Sequence, residues 1–189
     1  MGGVKRRAAG ALLIGSVLGL VGCAPDQSPV PTTAAAPYVC DGVPRASVEL
    51  ILGGPVDALQ RRDWDDPAES EFACEVDGRK GRARVSIIVT NAAIQLPPYI
   101  NAPGSSQLTL EDRAAESGAP AIEADAPGLG FVLGGDRAMW LCGDVVLDVR
   151  FIGDPVKGRD AEADLAALVT SMLPWGCGGE EAPAAGAAG

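Results

Sequence analysis

Residues 138–152 read AMWLCGDVVLDVRFI, and this stretch decides the fold. Gly143-Asp144 is a two-residue turn signal between two runs that alternate in polarity, which predicts a β-hairpin. Pairing Cys142 with Val145 sets the register. In it, Ala138, Trp140 and Cys142 share a face with Val145, Leu147 and Val149, while Asp148 and Arg150 fall opposite. Upstream, Gly130–Leu133 followed by Gly134-Gly135-Asp136 predicts a further strand of a meander, with Phe131 and Leu133 joining the same buried face. The Gly-x-Gly at Gly128 and Gly130 precedes a strand rather than a helix, which argues against a nucleotide-binding turn.

Downstream of Ile152 a Gly-Pro loop leads to Asp160, an N-cap residue, and then to Leu165, Leu168 and Met172 at helical spacing, with Pro174 closing the segment. This predicts an amphipathic helix lying on the sheet. A strand of about eight residues runs about 26 Å away from the turn, and a helix of about 14 residues returns about 21 Å. Cys177 is thereby brought back to Cys142, and a disulfide between them is expected.

In the other half, Pro44 to Leu52 reads as a short helix opened by Pro44 and closed by Gly53. Phe72, Cys74 and Val76 alternate with acidic residues, and Ala83, Val85, Ile87 and Val89 alternate with polar ones, giving two half-buried strands joined through Gly78 to Gly81. Cys40, just before the short helix, would pair with Cys74 on the sheet. Each bridge closes a loop of about 35 residues, which stabilises by about 3 to 4 kcal/mol in the chain-entropy model. Between Asn91 and Gly128 the pattern dissolves. Pro97-Pro98 and Pro103-Gly104 mark loop, and Thr109 with Asp112 forms a capping box for one short helix ending near Gly118. The stretch is expected to cover the sheet or to remain a mobile loop.

The order helix, two strands, long loop, three strands, helix predicts an α+β, two-layer domain. Its antiparallel sheet has about five strands, with the short N-terminal helix and the C-terminal helix packed on one face.

The first forty residues carry a different message. Lys5-Arg6-Arg7 is a positive n-region, and the apolar run from Ala8 to Val21 is shorter than the roughly 20 residues of a membrane span. Leu20-Val21-Gly22-Cys23 follows and resembles the lipobox of bacterial lipoproteins. That resemblance implies cleavage after Gly22, diacylglycerol transfer to the Cys23 sulfur, and anchoring by acyl chains at the outer face of the cytoplasmic membrane. Residues 24–37, APDQSPVPTTAAAP, are too poor in large apolar groups to fold and read as a tether. Residues 178–189, GGEEAPAAGAAG, have the same character. The expected organisation is a signal peptide over 1–22, a lipidated cysteine and disordered tether over 23–39, an exported domain over 40–177, and a disordered tail over 178–189.

The formal net charge is -10, and removal of Lys5, Arg6 and Arg7 would make the exported chain more acidic still. Such a surface repels phosphate backbones, so nucleic acid is not an expected partner. Attachment to the membrane is left to the lipid, with an envelope protein or a small-molecule ligand as the open partner.

No histidine is present, which closes Ser-His-Asp and Cys-His catalysis and imidazole metal sites. Lys80 and Lys157 are the lysines left after the n-region, and neither completes a Ser-x-x-Lys motif. The cysteines lack zinc spacing, so no metal or cofactor is expected. Asp63-Trp64-Asp65-Asp66 lacks the spacing of a calcium loop and reads as a solvated acidic turn, with Trp64 packing inward or, as the alternative, serving as a surface anchor for a partner. Arg79, Lys80, Arg82 and Arg84 read as a strand's solvent face.

Taken together, the lipobox, the Pro-rich tether, Cys40-Asp41-Gly42-Val43-Pro44 leading to Val48 and Leu50-Ile51-Leu52-Gly53, Cys74 on a strand and the closing helix from Asp160 to Leu173 give the chain a family likeness. It resembles the small secreted lipoproteins of unknown function found in high-GC Gram-positive bacteria. The resemblance implies an envelope location and no activity. The reading is a non-enzymatic lipoprotein with a binding or accessory role. The alternatives are a substrate-binding lipoprotein of a transporter and a carboxylate-dependent envelope hydrolase.

Overall fold

The computed structural model describes residues 27–62, 71–78, 81, 83–96 and 105–186. The chain runs β1 (Tyr38–Cys40), β2 (Val43–Pro44), α1 (Arg45–Leu52), β3 (Val56–Arg62), β4 (Phe72–Gly78), β5 (Ala83–Asn91), α2 (Ala92–Gln95), α3 (Ser105–Ser117), β6 (Leu129–Leu133), β7 (Arg137–Cys142), β8 (Val145–Gly153) and α4 (Ala161–Gly176). Strands β3-β4-β5-β8-β7-β6 form one antiparallel sheet of 6 strands, and β1-β2 form a small ribbon beside it. The class is α+β with an antiparallel sheet. The main sheet has six strands rather than about five because β3 adds an edge the pattern did not announce. In β3 Val56 is buried while Asp57, Ala58 and Leu59 are exposed, so it carries no alternating signal.

The β7–β8 hairpin has Cys142 opposite Val145, Trp140 opposite Leu147 and Ala138 opposite Val149. Trp140, Leu147 and Val149 belong to the main core with Phe72, Val76 and Ile87 from β4 and β5. Both α1 and α4 cover this face, α1 through Val48 and Ile51 and α4 through Leu165, Leu168 and Met172. Phe131 and Leu133 do not join it. Val132 is the β6 residue opposite Ala138, so its neighbours Phe131 and Leu133 turn to the far side of the sheet.

That far side is covered as well, over its β6-β7-β8 half. Met139, Leu141 and Val146 form a second core with Ala92 of α2, Leu96 just past it, and Leu110 of α3. The domain is therefore three layers deep at this end, and the two-layer expectation is corrected. The runs Met139-Trp140-Leu141 and Val145-Val146-Leu147 are apolar on consecutive positions, the mark of strands buried on both faces. The described parts of the stretch after Asn91, α2 and α3, thus serve as covering. Its helix starts earlier than the capping box implied, and Thr109, 2% exposed, lies inside α3. Gly118, at φ 63°, ends it as expected.

Local signals fix the helix ends. Gly53 at φ 72° and Gly54 donate to Leu50 and Glu49 carbonyls, closing α1 with a Schellman pattern. Asp160 caps α4 by accepting from Ala163 N at 3.1 Å. Pro174 does not close α4. The helix carries it inside the last turn and ends at Gly176.

Both flanks are tied to the domain. In the tether, Val30 is 5% exposed and enters the main core, and Arg159 Nη1 donates to Ser28 O at 3.1 Å. In the tail, residues 178–186 have no regular structure, yet Gly42 N donates to Pro183 O at 2.7 Å, Ala185 N to Asp41 Oδ1 at 2.7 Å, and Gly186 N to Tyr38 O at 3.0 Å. One valine and a few backbone hydrogen bonds suffice to fasten segments whose composition cannot make a core.

Candidate functional site

Cys40, at the end of β1, is bonded to Cys74 in β4 with an S–S distance of 2.01 Å. Cys142, at the end of β7, is bonded to Cys177 just past α4 at 1.99 Å. These bridges hold the ribbon and the last helix to the sheet. Cys23, the Asp63–Asp66 cluster with Trp64, and Arg79, Lys80 and Arg82 lie outside the described residues. The remaining member of the basic set, Arg84, is described. It donates to Asp77 through Nε at 2.7 Å and approaches Glu75 at 3.3 Å. The hydrogen bond to Asp77 and the negative field of both carboxylates raise its pKa.

Gly128 and Gly130 have a packing role. A Cβ on Gly130 would stand 2.5 Å from Trp140 Cε3, and one on Gly128 would stand 2.1 Å from Leu141 O. The glycines make room for the indole, whose Nε1 donates to Pro127 O at 2.9 Å.

Among the described residues, a dense polar constellation lies on the far face of the hairpin, where the register puts Asp148 and Arg150. Asp148, on β8, has a side chain with 0% exposure. Its carboxylate accepts from Arg137 Nε and Nη2, each at 2.8 Å, and from Arg150 Nε at 3.2 Å and Nη2 at 3.0 Å. Gln95 Nε2, at the end of α2, also donates to it. Arg137 and Arg150 are direct partners across β7 and β8. Like charges placed opposite repel, and the carboxylate beneath them is what allows the arrangement. The available signal was an acidic residue in register with Met139 on an apolar strand, flanked by one arginine two residues on and another across the hairpin.

This cluster stands at a boundary. On one side α2 and α3 cover the sheet, and on the other the same face continues uncovered by any described helix. A row runs across it from Arg150 to Ser86, Glu75 and Leu59 on successive strands. Leu59 and Ile152 are each 54% exposed. Charged groups and isolated apolar side chains alternate here, which suits a contact surface with a polar partner better than an enclosed pocket.

A shallow groove of about 420 Å³ lies elsewhere, between α1 and the Gly53–Pro55 turn. Among the described residues that line it the one charged group is Glu49, which pairs with Arg45 at 3.7 Å, and no set of polar groups converges there. Among the described residues no cluster of three or more potential metal ligands occurs, and no helix is long and apolar enough to cross a membrane. Comparison with protein-family models, with curated proteins and with solved structures gave no match.

Proposed function

We propose that this chain is a lipid-anchored lipoprotein of the bacterial envelope, held at the outer face of the cytoplasmic membrane through Cys23, with a non-enzymatic binding or accessory role. The observation that carries the reading is the pairing of all four cysteines of the domain into two disulfides. Stable disulfides belong to oxidising compartments, and the Lys5-Arg6-Arg7 region followed by Leu20-Val21-Gly22-Cys23 directs the chain to one. The likeness to small secreted lipoproteins of high-GC Gram-positive bacteria fits the same location. The binding role draws support from the open half of the sheet, where fixed guanidiniums, carboxylates and exposed Leu59 and Ile152 share one face. The test is fractionation of host cells carrying Cys23→Ala. The expected result is release of the protein from the membrane fraction, and a variant that stays fully membrane-bound refutes the anchor.

A further inference from the structure

The Arg137–Arg150 pair carries more positive charge than the fold needs. Asp148 is already satisfied by a bidentate Arg137 and by Gln95. The second guanidinium brings the cluster to a net charge of about +1, on a protein whose overall balance is strongly acidic. Both arginines spend the same edge, Nε and Nη2, on the carboxylate. The Nη1 groups of both are left without a hydrogen-bond partner among the described residues. The Arg150 side chain is 44% and the Arg137 side chain 21% exposed, so both guanidiniums are held by Asp148 while their side chains remain partly open to solvent. Ser86, the partner of Arg150 on β5, adds a hydroxyl with no partner among the described residues, on a strand whose backbone runs about 4.8 Å from that of β8.

We propose that Arg137, Arg150 and Ser86 form an oxyanion site that takes a carboxylate or phosphate group of a ligand lying on the open half of the sheet. Planar guanidinium donors match the geometry of such groups. Side chains anchored by a buried carboxylate lose little freedom on binding, which lowers the entropic cost of association. The inference rests on the reading of this domain as a binding module and supplies the chemistry its ligand would carry. It does not depend on the lipid anchor, which the Cys23 experiment tests separately.

The experiment is calorimetric titration of the full chain, in non-ionic detergent at low ionic strength, with inorganic phosphate and separately with acetate. Saturable binding of one anion per chain is expected for at least one of the two, and the preferred anion distinguishes a phosphate-bearing from a carboxylate-bearing ligand. Arg150→Gln removes a charge-assisted donor while Arg137 and Gln95 still satisfy Asp148, and it should weaken binding about tenfold or more. Should that variant fail to fold, Ser86→Ala decides, with an expected loss of about threefold. Lys157→Gln, which removes one exposed positive charge elsewhere, should bind as the parent does. The proposal is overturned by the absence of saturable binding of either anion, by parental affinity in the deciding variant, or by an equal loss in Lys157→Gln.

Discussion

Truncating the buried carboxylate, Asp148→Ala, is the sharpest test of how the far face is held. A sum over its five accepted hydrogen bonds would overstate the loss, because a fully buried carboxylate also costs several kcal/mol to desolvate. What matters is what the truncation leaves behind. Arg150, 44% exposed, can turn to water. Arg137, 21% exposed, shares the carboxylate with the Gln95 amide and loses the only anion it meets among the described residues. Breaking a buried pair costs about 3 to 5 kcal/mol, and partial access of both guanidiniums to water places this case at the low end, about 3 kcal/mol. Arg150→Gln removes only the more exposed partner and should cost about 1 kcal/mol or less. The assay is urea unfolding with both disulfides intact, read by tryptophan fluorescence and far-UV circular dichroism. In thermal unfolding the same loss corresponds to a lowering of Tm by about 6 to 12 °C for a chain of this size. A cost below about 1 kcal/mol for Asp148→Ala, or equal costs for the two variants, would refute the reasoning.

Two further perturbations probe the flanks. Gly42 sits at φ 69°, and a Cβ there would lie 2.3 Å from Trp175 Nε1, so Gly42→Ala should destabilise by about 2 to 4 kcal/mol through overlap and a left-handed backbone. Unchanged thermal unfolding would contradict that close approach. Val30→Asp places a carboxylate at a position that is 5% exposed, and should free residues 27–37 for limited proteolysis while costing the domain about 2 to 3 kcal/mol. An unaltered cleavage pattern would show that Val30 does not fasten the segment.

The parts of the fold legible in the sequence were those with a period or a cap. The β7–β8 register followed from one turn and one alternation, α4 from Asp160 and three apolar residues at helical spacing, and the end of α1 from Gly53. With those elements placed, the separation of Cys142 and Cys177 followed from strand rise and helix rise alone. The far face was not legible, because its apolar partners are split between a four-residue helix and a helix whose amphipathic signal is weak, and neither announces which sheet residues it covers. Phe131 was assigned to the wrong side for the same reason: Gly130 leaves one strand face blank, and only the pairing of Val132 with Ala138 resolves the parity. The hairpin register places Asp148 opposite the main core but leaves its burial open. An acidic residue between Leu147 and Val149 fits either an exposed position or a buried one with partners, and only the cross-strand placement of Arg137 decides between them.

The fastening of the tether changes what an anchor at Cys23 would imply. A chain free as far as Tyr38 could hold the domain about 50 Å from its lipid, since an extended residue spans at most about 3.6 Å. With Ser28 bonded to Arg159 and Val30 in the core, the free reach from Cys23 falls to about 18 Å. Arg159 is itself locked to Asp164 by contacts of 2.7 and 2.6 Å, with side chains only 4% and 8% exposed, so the clasp is built into the start of α4 rather than laid on its surface. Under the proposed lipidation, the β8–α4 connection would therefore stand nearest the bilayer. An acidic domain would be kept beside anionic headgroups by its leash rather than by attraction, as a covalent anchor permits and a charge-based one would not.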